Sequence, residues 1–147
     1  MSINAVYNTK ILDYAGNIGR IGRLDAPDGS AIAHSKLCGS TVSVDLAVEN
    51  GVVIDYAQDV KACALGQAAA AIVASNVLGA SRDEVRSGLE AFAAMLKEGG
   101  PAPDGRFAEL KFLEPVKEYR ARHASTLLAL QATVDAFDIA VAKQNAA

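Results

Sequence analysis

The sequence has few of the features that mark membrane, secreted or nucleic-acid-binding proteins. Its 147 residues include no tryptophan and two cysteines, and the formal net charge is −3. Nucleic acids and anionic membrane surfaces attract concentrated Lys and Arg, so this charge argues against both partners. No apolar run approaches a membrane span, and residues 1–4 lack the charged and apolar regions of a signal peptide. We therefore expect a cytoplasmic protein with no membrane or nucleic-acid partner.

Motifs of the common hydrolases and phosphotransferases are also missing. The sequence has no Walker-type loop, no Ser nucleophile elbow and no paired-carboxylate constellation. Two cysteines are too few for a disulfide scaffold, and in a reducing compartment such cysteines are more often metal ligands or redox groups. The candidate chemistry is therefore that of sulfur. With 51% hydrophobic residues and no break in composition, residues 1–147 are expected to form one domain with a core.

The clearest secondary structure is a β-hairpin between the two cysteines. Apolar and polar residues alternate from Thr41 to Glu49, which predicts a strand with one buried face. Asn50-Gly51 marks a turn, and Val52 to Gln58 resumes a strand pattern. A two-residue turn would pair Val48 with Val53 and put the large residues of the second strand on the opposite face. A three-residue turn over 49–51 pairs Val48 with Val52 and gives one apolar face, so we predict the three-residue turn.

This register brings the two thiols together at the open end of the hairpin. It places Cys38 opposite Ala62, the neighbour of Cys63, and Gly39 frees the backbone beside the first cysteine. Cys63 precedes the helix-forming run Ala64 to Val73, and a helix N-terminus favours a thiolate through its free N–H groups and dipole. Free cysteines are usually small buried hydrophobes, and this alternative stays open for each thiol alone. Their convergence favours a site.

Periodicity and capping signals predict the other elements. These are, in chain order, a helix over Val6–Tyr14, a loop around Gly16, Gly19 and Gly22, a short strand over Ala31–Lys36, a helix starting at the capping box Ser81–Glu84, a short helix over Phe107–Phe112 and a last helix over Val116–Lys143.

One histidine lies on the apolar stripe of the last helix. The stripe has spacings of four and three residues and consists of His123, Leu127, Leu130, Val134, Phe137 and Val141. The imidazole of His123 thus points inward. Spacing alone favours a core histidine satisfied by a carbonyl over an imidazole that reaches the cysteine pair as a metal ligand or base. His34 gives no comparable signal.

Taken together, these features resemble the U-type iron–sulfur cluster assembly scaffold proteins over nearly the whole chain. Cys38-Gly39 is similar to the family's first Cys-Gly, and Cys63 is similar to its second cysteine at the end of the hairpin. The segment Leu113–Lys117 resembles the family's Leu-Pro-Pro-Val-Lys chaperone-recognition motif, and Asn17–Gly22 resembles its Asn-Pro-x-x-Val-Gly. His123 lies near the start of the last helix, like the family's histidine.

The resemblance implies an α+β fold in which a three-stranded antiparallel sheet is covered by about five helices, with a long C-terminal helix. It implies a scaffold or carrier that is not an enzyme, receives iron and sulfide, holds a [2Fe–2S] cluster and passes it on. The implied partners are a cysteine desulfurase, acceptor apoproteins and an Hsp70-type chaperone that binds Leu113–Lys117. A Zn²⁺ ion often occupies such a site.

The sequence departs from the family pattern at the site. Ser40 stands where the family has Asp, and Ala124 stands where a third cysteine follows the histidine. Cys38, Cys63 and His123 are left as candidate ligands for iron, the cluster or Zn²⁺. Two alternatives stay open: a thiol redox or sulfur-transfer protein using Cys63 and Cys38, and a metal-free interaction module that keeps the fold.

Overall fold

The computed structural model describes residues 8–36 and 39–146. Within these ranges the elements are, in chain order, α1 (Thr9–Gly16), β1 (Gly29–His34), β2 (Thr41–Glu49), β3 (Val52–Lys61), α2 (Ala64–Asn76), α3 (Arg82–Glu98), a 3₁₀ segment (Gly105–Glu118), a short 3₁₀ turn (Arg120–Arg122) and α4 (His123–Ala146). The strands form one antiparallel sheet in the order β1-β2-β3. The predicted α+β fold, with a three-stranded antiparallel sheet and a long C-terminal helix, is confirmed.

The hairpin has a shorter turn than predicted. Val48 pairs with Val53, and not with Val52 as the three-residue turn requires. The connecting residues Asn50 and Gly51 both have positive φ, 53° and 79°, as a two-residue type I′ turn needs. The predicted register is therefore wrong.

A β-bulge in β3 gives the hairpin a single apolar face, which the prediction attributed to a three-residue turn. The register shifts next to Ala47, which pairs with Asp55, so that Ile54 is the additional residue of β3. As a result Val53 and Tyr56 are both buried although they are three residues apart, whereas Ile54 is 51% exposed. The prediction that Val52, Ile54 and Tyr56 share one apolar face is therefore wrong, since Tyr56 alone of these three is buried.

The C-terminal helix α4 is the centre of the core. It packs on β1, β2, α2 and α3. The contact with β1 is a direct backbone contact, since a Cβ on Gly29 would lie 1.9 Å from the carbonyl oxygen of Ala136. Each predicted stripe position down to Phe137 is buried, and burial extends well beyond the stripe to Leu128, Ala129, Ala132, Thr133, Ala136 and Ala140. The stretch Arg120–Ala146 is long and apolar enough to span a membrane by length and composition, but 67% of its most apolar window is buried inside the fold.

The predicted start of the last helix at Val116 is wrong. The chain is 3₁₀ from Gly105 to Glu118, and α4 begins at His123. Pro115 lies inside the 3₁₀ segment, and proline disfavours α-helical geometry at the residue before it and lacks an N–H for the helical ladder. Apolar spacing continues across this segment, which explains why periodicity alone extends the helix.

The predicted short helix over Phe107–Phe112 lies within the 3₁₀ segment, and the other predicted helices are found with small shifts of their ends. Ser81 and Glu84 form the predicted capping box, in which each side chain accepts a hydrogen bond of 3.1 Å from the other residue's backbone N–H. The first helix ends at Gly16 as expected, and the part of its predicted range before residue 8 lies outside the described residues.

A buried carboxylate on β2 holds the predicted loop after α1 against the sheet. Asp45 of β2 is 1% exposed and accepts hydrogen bonds from Arg23 Nε (2.7 Å) and Nη2 (3.0 Å), the Ser30 hydroxyl (2.6 Å) and the Leu24 N–H (3.1 Å). The hydrogen bonds from Arg23, with those from Ser30 and Leu24, hold the pKa of Asp45 below its usual range although burial opposes this. This carboxylate fixes the segment of residues 23–30 to the sheet.

Candidate functional site

Cys63 lies between the sheet and the first core helix that follows it. It is the N-cap residue of α2, two residues after β3 ends at Lys61, and its thiol is half-buried and free. The side chain makes no capping hydrogen bond. Instead, Gln67 closes the helix start by donating from its side chain to the Ala62 carbonyl oxygen at 2.8 Å. The prediction that Cys63 lies at a helix N-terminus is confirmed.

The thiol contacts the beginning of α4. The Cys63 Sγ lies 3.7 Å from the hydroxyl oxygen of Ser125, which also donates to the Arg122 carbonyl oxygen at 3.2 Å. Gly66 makes this approach possible, because a Cβ there would lie 2.8 Å from the Ala62 Cβ and 3.1 Å from the Ser125 carbonyl oxygen. Sequence reasoning missed Ser125, since a serine near a helix start carries no signal of what packs against it.

His123 is the first residue of α4 and is buried, with 7% of its surface exposed. Its Nε2 lies 3.0 Å from the Val116 carbonyl oxygen and 3.1 Å from the Lys117 carbonyl oxygen. Carbonyl oxygens only accept hydrogen bonds, so we assign the proton to Nε2. In neutral imidazole, Nδ1 then carries the lone pair and is the nitrogen that could bind a metal. The carbonyl contact expected of a core histidine is thus present, and it also fixes the tautomer.

A surface cleft of about 310 Å³ opens beside His123. It is lined by Lys97 from the last turn of α3, by Arg120, and by His123 and Ala124 at the start of α4. Ala124 is exposed, at the position where the resemblance leads one to expect a third cysteine. Lys97 and Arg120 were not predicted, because only the fold brings these two distant segments together.

Cys38 and Leu37 lie outside the described residues, which resume at Gly39. Gly39 has φ +71°, the backbone freedom expected beside this cysteine. Ser35 donates its N–H to the Ser40 carbonyl oxygen and accepts from the Gly39 N–H, both at 2.9 Å. Residues 35 and 40 are therefore close together at the base of the β1–β2 connection.

The sheet puts this connection and Cys63 at the same end. His34 pairs with Thr41, and Thr41 pairs with Lys61. The predicted pairing of Cys38 with Ala62 rested on the wrong register and is not supported. The convergence of the two thiols stays a prediction.

The described residues do not bring the candidate ligands into one cluster. Within 8–36 and 39–146 there is no group of three or more His, Cys, Asp or Glu side chains placed to hold a metal ion. Ser125, which faces Cys63, and His123 point about 200° apart around α4 at about 100° per residue. Cys63 and His123 thus belong to neighbouring parts of the same end of the molecule, and the ligand set of Cys38, Cys63 and His123 stays a prediction.

The segment Leu113–Lys117 forms part of the 3₁₀ segment. Leu113 and Val116 are fully buried, and Lys117 forms an ion pair of 2.8 Å with Glu114. This ion pair raises the pKa of Lys117. In the folded protein the apolar residues of this segment therefore belong to the core.

A second polar cluster attaches α1 to the 3₁₀ segment. The Tyr14 hydroxyl donates to Glu109 at 2.5 Å, and the Asn76 amide donates to the other carboxylate oxygen at 3.0 Å. Burial and the bond to Glu109 raise the pKa of Tyr14 to about 12. Sequence spacing gave no sign of this cluster, which holds the first helix in place.

Comparison with known proteins finds the same architecture in a NifU-like protein and in a putative iron–sulfur cluster assembly scaffold protein. The sequence model of the NifU-like N terminal domain matches residues 6–126. The chain is 30% identical over 131 residues to the iron–sulfur cluster assembly scaffold protein IscU of Thermotoga maritima, covering 88% of this chain and 90% of that protein. Its sequence is 55% identical to that of a nitrogen-fixing NifU-like protein (N-terminal) from Brucella abortus. The crystal structure of that protein matches with a TM-score of 0.93, covering 96% of this chain and 98% of that chain. FiSufU of Fervidobacterium islandicum shares the fold at 18% identity, with a TM-score of 0.84 and coverage of 92% and 99%.

The match to IscU places the chain in a class of protein, the scaffold proteins of iron–sulfur cluster assembly. Within that class, the chain belongs to the family of NifU-like N-terminal domains. The resemblance inferred from the cysteines, the hairpin and the histidine is confirmed.

Proposed function

We propose that this protein is a scaffold or carrier that holds iron or a [2Fe–2S] cluster as cargo and passes it to acceptor proteins. Its proposed ligands are the thiolates of Cys38 and Cys63 and the Nδ1 atom of His123. One observation carries the proposal: the Cys63 thiol, at the start of α2, contacts Ser125, two residues after His123, at 3.7 Å. A thiol and a histidine of the family pattern thus lie on two packed helix starts.

The chemical types of the donors fit the proposed cargo, and binding one ion through both Cys63 and His123 requires the start of α4 to move, because Ser125, which faces Cys63, and His123 point about 200° apart. Thiolate and imidazole suit iron, iron–sulfur clusters and Zn²⁺. The hydrogen bond from His123 Nε2 to backbone carbonyls is the kind of contact that orients metal-ligating histidines and raises their basicity. Three protein ligands leave one position open for an exchangeable ligand, which suits a protein that releases its cargo. This chemistry is binding and transfer, and the proposed role is not that of an enzyme.

The proposed partners are a cysteine desulfurase that supplies sulfur, acceptor apoproteins and an Hsp70-type chaperone, in the cytoplasm. Folded protein offers the chaperone mainly Glu114, Pro115 and Lys117. Exposing Leu113 and Val116 would cost about 1.5–3 kcal/mol for each side chain. Chaperone binding to Leu113–Lys117 as an extended peptide therefore requires the 3₁₀ segment to leave the core.

Metal analysis with matched variants tests the proposed site. Freshly purified protein and anaerobically reconstituted protein should carry about one Zn²⁺ or one cluster per chain, read by elemental analysis and optical spectra. Cys38→Ala, Cys63→Ala and His123→Ala should each weaken binding by at least about tenfold, since even the loss of a residue that hydrogen-bonds to a metal ligand usually costs that much. His34→Ala is the control, because His34 is the exposed histidine of the chain and should leave binding unchanged.

Circular dichroism must show that each variant is folded, since His123 is part of the core. Stoichiometric binding that survives the double change Cys38→Ala and Cys63→Ala would place the metal elsewhere and contradict the proposal. Loss of binding in His34→Ala alone would identify the other histidine as the ligand.

A metal-free interaction module is the second candidate. It is favoured by the bond from His123 to the Val116 and Lys117 carbonyl oxygens, which a purely structural histidine would also make, and by Ala124 in place of a thiol. Folded parent protein that takes up neither Zn²⁺ nor a cluster would select this function.

A further inference from the structure

The two edges of the sheet differ in what covers them. At the β3 edge, the segments of residues 20–22 and 79–80 exchange backbone hydrogen bonds with Gln58 and Val53. At the other edge, β1 pairs with β2, and no further strand follows it among the described residues. The sheet therefore has one covered edge and one edge that the described part of the chain leaves open.

The open edge presents the backbone groups of three residues. Ser35 donates its N–H to the Ser40 carbonyl oxygen at 2.9 Å, and β1 follows β2 from there without a register shift. Bonded positions alternate along an antiparallel strand, so the N–H and C=O groups of Ser30, Ile32 and His34 point away from β2. Within residues 8–36 and 39–146, no hydrogen bond to these groups is found.

β1 also lacks the features that usually protect an edge strand. Edge strands are commonly shielded by charged side chains, by proline or by a bulge. Gly29–His34 contains no Lys, Arg, Asp, Glu or Pro, and it has no bulge. Ile32, in the middle of the strand, is 66% exposed. The edge is therefore suited to pairing with another strand.

We propose that β1 pairs with β1 of a second copy of this chain, antiparallel and across a two-fold axis at Ile32. Ile32 then lies opposite Ile32 of the second copy, and Ser30 lies opposite His34. This register uses all three residues with outward groups and forms about six backbone hydrogen bonds, two for each residue pair. The two sheets join into one, with the candidate sites at opposite ends, and the inference does not depend on the proposed function.

The charges beside β1 favour a second copy as the partner. The same register places Asp28, just before the strand, opposite Lys36 of the second copy, and the two-fold axis repeats this pair at the other end. Asp28 continues the strand, since its N–H bonds to the Leu46 carbonyl oxygen at 2.8 Å, and Lys36 is exposed. Opposite charges placed across antiparallel strands attract each other. Self-pairing thus matches apolar with apolar and acid with base in one register.

The helix layer leaves room for this pairing. α4 packs on both β1 and β2, so it lies over the two strands together. Because neighbouring strands are about 4.8 Å apart, the two copies of α4 would lie about 10 Å apart, a normal spacing for packed helices. The exposed Ile139 belongs to the turn of α4 that contacts Gly29 through Ala136 and Ala140, and it adds apolar surface near the edge.

Sedimentation velocity of the full chain over a range of concentrations tests for the dimer. A contact of this size is at the small end of protein interfaces, so we expect a Kd on the order of 100 µM and dissociation on dilution. Ile32→Lys places two like charges opposite each other at the axis and should weaken the dimer about tenfold. Ile54→Lys is the control, because Ile54 is an exposed isoleucine of β3 and the change in charge is the same.

Cross-linking measures the register directly. Ile32→Cys, in a chain that also carries Cys38→Ala and Cys63→Ala, places two thiols at the axis. The Cα atoms of such a pair are about 5.5 Å apart, a distance that a disulfide can span. His34→Cys lies on the same edge and face but would be roughly 14 Å from its own copy. With oxidised glutathione as oxidant, we expect Ile32→Cys to form the disulfide dimer at least about tenfold faster than His34→Cys.

Circular dichroism must show that each variant is folded. Parent protein that sediments as a monomer at all concentrations would overturn the proposal and leave the edge to a strand of another protein. A dimer that Ile32→Lys does not weaken would use another surface, and cross-linking of His34→Cys as fast as that of Ile32→Cys would show another register. Both results contradict the proposal, and neither affects the test of metal binding.

Discussion

Replacing Asp45 by Asn should destabilise the protein far more than removing its ion-pair partner Arg23. The Asp45 carboxylate is the acceptor in all four of its hydrogen bonds, of which two come from Arg23 and one each from Ser30 and Leu24. An Asn side chain has the same shape but presents one NH₂ group. That group must face a donor or force Ser30 to turn its hydroxyl.

The magnitude follows from the different exposure of the partners. A hydrogen bond to an ionised group stabilises a fold by about 1.5–3 kcal/mol, and an exposed ion pair by about 0.2–1 kcal/mol. The Arg23 side chain is 67% exposed, whereas that of Asp45 is 1% exposed. We therefore expect Asp45→Asn to lower the free energy of unfolding by about 2 kcal/mol and Arg23→Ala to lower it much less at neutral pH.

The effect of Asp45→Asn should depend on pH in a defined direction. Because the folded-state pKa of Asp45 is lowered, mainly by Arg23, its charged form is favoured in the folded protein. Its stabilising contribution is complete above the unfolded pKa of about 3.9 and is lost as the pH falls through the folded pKa. The difference in unfolding free energy between the parent and Asp45→Asn should therefore shrink below about pH 4.

Urea unfolding of the parent, Asp45→Asn and Arg23→Ala at neutral and acidic pH measures both claims. Other carboxylates titrate in the parent and in Asp45→Asn alike, so their effect cancels in the difference between these two proteins. A loss in Arg23→Ala as large as that in Asp45→Asn would refute the argument from exposure. A difference that stays constant with pH would show that the charge of Asp45 does not contribute to it.

Two further variants test the site. Ala124→Cys should place a thiol in the cleft beside His123. Relative to Ala124→Ser, it should lengthen the lifetime of a reconstituted cluster against a chelator severalfold. An unchanged lifetime would mean that position 124 does not face the bound cluster. Gly66→Ala should destabilise the fold by about 1 kcal/mol, because crowding against Ala62 and Ser125 outweighs the gain in helix propensity; a thermal melt with no loss of stability would show that α2 and α4 can separate freely there.

The course of the sheet could be predicted from sequence, and its register could not. Alternation fixed the limits of β2 at Thr41 and Glu49, and Asn50-Gly51 located the turn. The criterion of one apolar face was also sound. It selected the wrong turn because a bulge at Ile54 satisfies the same criterion, and no residue pattern distinguishes a bulge from a longer turn.

At the site, local signals succeeded and long-range contacts were missed. The helix-forming run after Cys63 correctly placed this cysteine at the start of α2. The apolar stripe correctly predicted that His123 points inward. The hydrogen bond from His123 to the Val116 carbonyl oxygen could not be predicted, because it depends on a 3₁₀ segment that the periodicity predicts as α-helix. The contact of Ser125 with Cys63 and the meeting of Lys97 with Arg120 depend on how the helices pack, which no single segment encodes.

The burial of α4 on nearly every side determines where the chain can tolerate changes in length. A helix with a broad solvent face can turn about its axis when residues are added before it, but α4 has core contacts around its circumference. The angular position of His123 is therefore set by the sheet and by α2 and α3. The number of residues between Pro115 and His123 does not set it. Insertions in the 3₁₀ region should be absorbed there as loops or extra turns, so the spacing between the Pro-Val-Lys segment and the histidine can drift among relatives while the imidazole keeps its orientation.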